Sequence, residues 1–207
     1  MLKVLPEQAT RMELAALLPE TDLGVYWSNH AEPADGLYPI RGVVLYGLAE
    51  CARSAVYVEW LRTGDMKAVG HLMNVSHDGD RVMRFDAAGE NPQPYRYDSG
   101  DAALDALEAA LERGERFAGL HEQPGSYRCS LPEIDRMVDL ARGIPGVAGA
   151  QLAGAGLGGC MMVMVHNDMI GALMEKLECD YYRPSGREAR LLRCRPIAGA
   201  GLIRWEK

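Results

Sequence analysis

No apolar run in the sequence approaches the roughly 20 residues needed to cross a bilayer. The strongest, CMMVMV at 160–165, is far shorter, which argues against a membrane helix. Excess positive charge is lacking as well: 22 Lys and Arg against 29 Asp and Glu give a formal net charge of -7. Binding to a phosphate backbone needs clustered cations, so nucleic acid is not an expected partner. Cys51, Cys129, Cys160, Cys179 and Cys194 are an odd set without C-x-x-C spacing, so neither a disulfide framework nor a zinc site is expected. His30, His71, His77, His121 and His166 form no H-x-x-x-H or H-E-x-x-H pair, and no metal site is expected from them. At the N-terminus Pro6, Glu7 and Arg11 interrupt what a signal peptide would keep apolar, and a cytoplasmic location is expected.

What is present suffices for a folded domain. Over 207 residues, 48% are apolar and 25% charged, an ordinary balance for a chain with a sizeable core. Helical spacing is read over 8–18, from Arg41 to a stop at Gly64, and again from Asp65 through Met66, Val69, Leu72 and Met73. Residues 78–100, rich in Gly, Asp, Asn and Pro, are expected to form a long loop. A helix follows from Asp101. In SLPEIDRMVDLARG, Ser130 and Glu133 have capping-box spacing, Pro132 suits a first turn and Gly143 supplies a stop. Strands are expected at 22–28 (DLGVYWS), over VAGAQL, over CMMVMV and at 189–195 (ARLLRCR), with a helix after the third capped at Asn167 or Asp168. Taken as one domain over 1–207, this order suits an α+β fold: a ferredoxin-like split β-α-β plait with helices inserted after its first strand.

The chemistry-bearing stretch is GAGLGG, Gly154 to Gly159. It matches the G-x-G-x-x-G expression of dinucleotide sites, but those glycines must open a helix whose N-terminus holds pyrophosphate, and here an apolar strand pattern follows. A P-loop is excluded because no Lys-Ser or Lys-Thr comes after. Two readings of the residues remain: a tight small-residue turn, or a loop whose amides form an anion-binding nest.

The longer phrase CSLPEIDRMVDLARGIPGVAGAQLAGAGLGGCMMVMV resembles the third conserved motif of the GHMP kinases with its preceding helix. LYPIRGVVLYGLAECARSAVYVEWLRTGDMKAVGHLMNVSH is similar to the galactokinase segment with a Tyr-Pro-Val-Arg element and a later Leu-Met-Asn-x-Ser-His. The tail CRPIAGAGLI resembles the galactokinase ending, and ALLPE with HAEPADGLYPIR is similar to the L-arabinokinase group. The resemblance implies the C-terminal half of an ATP- and magnesium-dependent kinase, acting on a galactose-like sugar at a hydroxyl, the anomeric one above all.

It further implies that Tyr38 contacts the sugar and that Gly154, Gly156, Gly158 and Gly159 lie beside the phosphates. The main ATP loop (Pro-x-x-x-Gly-Leu-x-Ser-Ser-Ala) and the Met-Asp-Gln phrase with the catalytic Asp do not occur in this sequence. The catalytic residues are therefore expected in an N-terminal half outside it, and the chain alone is expected to be inactive. The alternative is a non-catalytic binding module, or a separate subunit that works with such a half. Ala153 and Ala155 replace the family's usual loop residues. Asp135 is expected to be a structural hydrogen-bond partner, Ser130 a cap and His77 a helix-end residue that caps carbonyls.

Overall fold

The computed structural model describes residues 2–28, 32–33 and 35–195. His30 and most of the tail phrase CRPIAGAGLI lie outside the described residues. The chain begins with α1 (Arg11–Leu17), started by a capping box in which Thr10 Oγ1 accepts from Glu13 N–H and Glu13 reaches back to Thr10 N–H. The four-residue α2 (Gly24–Trp27) follows. Next come two long antiparallel neighbours, α3 (Ile40–Thr63) and α4 (Met66–Asp80). Gly64 makes the turn between them possible: its left-handed backbone (φ 75°) ends α3, a conformation open to glycine at little steric cost. Asp65 then caps α4 through Ala68 N–H.

Residues 81–100 form an excursion whose only regular pairing is the two-residue hairpin of β1 (Met83–Arg84) and β2 (Gln93–Pro94). After it come α5 (Asp101–Glu112) and α6 (Pro132–Arg142). The antiparallel pair β3 (Val147–Ala153) and β4 (Cys160–Val165) precedes α7 (Ile170–Leu177).

The architecture is α+β, as the order of elements indicates. The split plait does not form among the described residues: their sheets are two separate two-stranded pairs. Residues 24–27 are helical and 189–195 carry no regular structure, so the plait's expected outer strands are missing. Val25, Tyr26 and Trp27 favour strand locally, but a strand is stabilised by cross-strand neighbours, and none is at hand. Leu191 packs against the core while Leu192 stays 91% exposed. Among the described residues no helix is long and apolar enough to cross a membrane.

The main core lies between the β3–β4 pair and the helices α6 and α7. Ile134, Val138, Leu140 and Ala141 of α6 meet Ala150 and Leu152 of β3 and Leu173 and Leu177 of α7. Burial of each Val, Leu or Ile side chain contributes on the order of 2 kcal/mol.

Helix α4 covers the other edge of β3. Asn74 Oδ1 accepts from Ala150 N–H (3.0 Å) and His77 Nδ1 from Leu152 N–H (3.2 Å). These are the strand donors that point away from β4, so side chains of a helix stand where another strand would pair. The approach is close enough that a Cβ on Gly149 would overlap the carbonyl of Gly70, and one on Gly70 would overlap that of Ala148. By the same register, the amides and carbonyls of Met161 and Val163, opposite Leu152 and Ala150, face away from β3. They have no backbone partner among the described residues.

Candidate functional site

The glycine loop joins β3 to β4. Gly154, Gly156, Gly158 and Gly159 all have positive φ (89°, 84°, 126° and 95°), and so does Leu157 at 59°. The loop is anchored at one point: Leu157 N–H donates to Cys129 O at 2.6 Å. A Cβ on Gly156 would sit 2.5 Å from that same carbonyl, so glycine is needed there both for its backbone angles and for room. The other amides from Gly154 to Gly159 donate to no group of the described residues. The loop is therefore a surface run of free N–H donors with a glycine backbone, which is the chemistry of an anion nest.

Behind the anchor lies a buried polar network. Cys129 Sγ donates to Asp80 Oδ1 (3.0 Å), and Tyr46 Oη donates to Asp80 Oδ2 (3.2 Å). Burial pushes the Asp80 carboxyl up from its ordinary value. Burial and the contact with Asp80 push the Cys129 thiol up to about 12, which makes it a poor nucleophile at neutral pH.

One turn back on α4, His77 is fully buried with Nδ1 tied to β3, so Nε2 carries the proton. Nε2 faces Asp135 Oδ1 at 3.2 Å, without the angles of a good hydrogen bond. Asp135 Oδ2 accepts from the N–H groups of Val82 and Met83 at 2.9 and 2.8 Å. A His–Asp pair sealed from solvent with both ends committed to backbone fixes α4, α6 and β3 in register and reaches no substrate. Asp135 is thus the structural partner expected, whereas His77 accepts from a strand amide and caps no carbonyl.

Ser130 is not the cap of α6: Leu131 occupies that position with no side-chain bond. Ser130 N–H goes instead to Asp80 O (2.9 Å), and the Ser130 hydroxyl supports ionised Asp135. Nor do Asn167 and Asp168 cap α7: they lie in a 3₁₀ turn before it, and Met169 precedes the helix without a side-chain cap.

A second cluster fastens the same elements. Arg81, with a fully buried side chain, bonds both oxygens of Asp139 at 2.8 Å and Asp78 Oδ1 at 2.9 Å. Asp78 Oδ1 also accepts from Arg142 (2.8 Å). Apart from Asp78 and Arg81, three residues apart, these ties are not visible as a local pattern, because Arg81 and Asp139, and Asp78 and Arg142, lie 58 and 64 positions apart.

These environments set the pH response. Burial holds His77 below its ordinary value of 6.5; contact with Asp135 opposes this, and Arg142 and Arg81 add to it. Burial works against ionisation of Asp78 and Asp135, but Arg142 and Arg81 for the first, and His77, Ser130 and two amides for the second, hold both below 3.8. For a lowered group the unfolded chain takes up the proton first, so stability is lost as pH falls from the unfolded value toward the folded one. Asp80 has the opposite sign, and its contribution falls as pH rises. Urea midpoints should therefore drop first below about pH 6.5, through His77, and again in the carboxylate range. His77→Gln should remove the first step while lowering the midpoint at pH 8. An unchanged slope between pH 7 and 5 in that variant would contradict the assignment.

Tyr38 is held by the N-terminal segment. Its backbone forms a bridge with Ala9, and its hydroxyl accepts from Arg11 Nε at 2.9 Å. One residue on, Pro39 borders a small cleft that also includes Gly42, Ser126 and Arg128. Arg128 is left-handed (φ 60°), which costs a non-glycine residue about 1–3 kcal/mol. No feature of the sequence singles out Arg128 or the carbonyl of Cys129.

A two-stranded pair with a glycine loop of free amides, held against a capless helix by a buried His–Asp pair, is the setting in which the comparisons fall. Residues 102–183 match the family described as GHMP kinases C terminal, and about half of the chain is similar to galactokinases. The galactokinase of Roseiflexus sp. (strain RS-1) is 34% identical over 107 residues, 50% of this chain and 27% of that protein. The galactokinase of Chloroflexus aurantiacus (strain ATCC 29366 / DSM 635 / J-10-fl) is 34% identical over 104 residues, 49% of this chain and 26% of that protein. The matched part thus spans about a quarter of each of these longer relatives. No solved structure matches the chain.

Proposed function

We propose that the chain is the substrate-side portion of an ATP-dependent sugar kinase that phosphorylates a galactose-like monosaccharide, at the anomeric hydroxyl. The observation that carries this reading is the run of amides from Gly154 to Gly159, all but that of Leu157 without a partner among the described residues. Phosphoryl transfer is mostly a matter of positioning and of neutralising charge around the transferring group, and such a loop supplies fixed N–H donors for it. In this reading the loop lies beside the ATP phosphates and Tyr38 beside the sugar. Rotation of Tyr38 would exchange its bond from Arg11 for one with a sugar hydroxyl. Among the described residues no group of three or more His, Cys, Asp or Glu is placed to hold a metal ion, so magnesium would be held by the nucleotide and by residues elsewhere. The main ATP loop and the base would come from an N-terminal half.

The unpaired edge of β4 and the exposed Met162 on its surface favour a chain that works against another segment, whether in one polypeptide or as a separate subunit. The test is a coupled ATPase assay on a panel of monosaccharides. The chain alone should show no sugar-dependent turnover, and joined to a galactokinase N-terminal half it should gain it. Turnover by the chain alone would overturn the division of labour. No turnover from a folded, joined enzyme on any sugar would overturn the kinase reading.

A further inference from the structure

We infer that Asp80, the last residue of α4, is a positioning residue for the glycine loop: acting through Cys129, it holds the loop's amides in the array that receives an anion. That the anion is a phosphate rests on the kinase reading; the hold of Asp80 on the loop rests on the geometry alone.

Between its two strand ends the loop is fixed at one place. Of its amides only Leu157 N–H donates to a group of the described residues, and it does so to Cys129 O at 2.6 Å. An added Cβ would meet nothing within 4 Å at Gly154, and at Gly158 and Gly159 its nearest neighbours would be 3.9 Å away. At Gly156 it would lie 2.5, 2.6 and 2.8 Å from the O, Sγ and Cβ of Cys129. The loop therefore rests on both the carbonyl and the side chain of one residue, and a turn of either displaces it.

What holds Cys129 is the end of α4. Its thiol donates to Asp80 Oδ1 at 3.0 Å. On either side of it, Ser130 N–H donates to Asp80 O at 2.9 Å, and the amides of Tyr127 and Arg128 donate to Gly79 O at 2.8 and 3.1 Å. Arg128, immediately before Cys129, is left-handed, and strain of that kind persists only where the surroundings over-determine it.

A carboxylate at this position is costly to the fold. Asp80 is 6% exposed, and its two oxygens are met by neutral donors, Cys129 Sγ and Tyr46 Oη, with no cation paired to it among the described residues. Burying a charge without a cationic partner is unfavourable, and an apolar side chain of similar size would fill the space at less cost. What it would not supply is an acceptor for the thiol. A thiol is a weak donor, and it bonds most strongly to an ionised oxygen. The bond from Cys129 to Asp80 thus fixes the side chain that lies directly under Gly156.

Amide hydrogen exchange followed by NMR on the chain tests this, together with a titration with inorganic pyrophosphate that monitors the amides of Gly154–Gly159. Pyrophosphate should shift these amides in the wild type. In Asp80→Leu the thermal midpoint should hold or rise, the Leu157 amide should exchange at least tenfold faster, and the pyrophosphate concentration at half-saturation should rise tenfold or more. Cys129→Ala leaves Asp80 and Tyr46 in place, so it decides the matter if Asp80→Leu folds poorly, and it should show the same two losses. Cys129→Ser keeps a donor for Asp80 and should retain most of the wild-type protection and affinity. The Leu152 amide, bonded to His77, is the internal control, because a merely structural role would speed its exchange along with that of Leu157. Wild-type exchange and affinity in Cys129→Ala, parallel acceleration at Leu152, Cys129→Ser as impaired as Cys129→Ala, or no shift of the wild-type loop by pyrophosphate would each overturn the proposal. A joined enzyme without turnover would defeat the kinase reading and leave the comparison of Leu157 with Leu152 unaffected, so the two failures are distinguishable.

Discussion

Gly149→Ala should destabilise the protein by about 3 kcal/mol, the upper end for overpacking. The added methyl would overlap the Gly70 carbonyl, and neither backbone is free to retreat. Helix α4 is tied to β3 by Asn74 and His77 on one side of that contact and is covered by α3 on the other. Most overpacked sites relax by moving a side chain; here main chain meets main chain. Gly70→Ala should cost a similar amount, and the double variant less than the sum, because one displacement of the helix serves both. Gly171→Ala is the control, since a Cβ there meets nothing; in the first turn of α7 it should be neutral or stabilising by up to about 1 kcal/mol. Urea unfolding of these four variants measures this, and a wild-type midpoint for Gly149→Ala would show that helix and strand are not in backbone contact.

Asp139→Ala should cost about 3–5 kcal/mol, because it leaves the buried guanidinium of Arg81 without its two-pronged partner. The same carboxylate accepts from Phe85 N–H at 2.8 Å, so the loss also frees the start of the 81–100 excursion. Against a total stability of about 5–15 kcal/mol, the thermal midpoint should fall by roughly 10 °C or more. Asp139→Asn, which keeps an acceptor oxygen for Phe85, should fall less. Arg136→Ala, on the same helix with its contacts to Gly89 O and Glu90 near the surface, should cost under about 1 kcal/mol. If Asp139→Ala is as mild as Arg136→Ala, the Arg81 cluster does not hold these elements together.

The parts of this fold that are legible in sequence are those decided within a few residues. Gly64 and Asp65 mark a helix stop and start, and the glycine loop betrays its conformation by composition alone. The strand expected at 22–28 fails because its residue types are right and its partner is not beside it. Ser130 fails in the opposite way: the spacing to Glu133 is right for a cap, but Asp80, fifty residues earlier, takes its amide. His77, Asp135 and Asp139 are spread over two helices and Arg81 follows the end of the first, and only the tertiary arrangement makes them one device. For the candidate site, the conformation of the glycine loop could be anticipated; the anchor at Cys129 and the strained Arg128 could not, since neither residue type nor spacing distinguishes them.

The unpaired side of β4 has a consequence for how such a chain is made. A ribosome delivers N-terminal segments first, so in a longer polypeptide whose preceding part covers Met161 and Val163, that cover would already be folded when β4 emerges. Produced by itself, the same strand surfaces into a crowd of identical copies with its amides and carbonyls on offer, and edges of that kind template intermolecular pairing. Yield in soluble form should therefore fall steeply with expression level and recover on co-synthesis with a segment that covers this edge. The order of synthesis, as much as the sequence, would then decide whether this domain ends folded or aggregated.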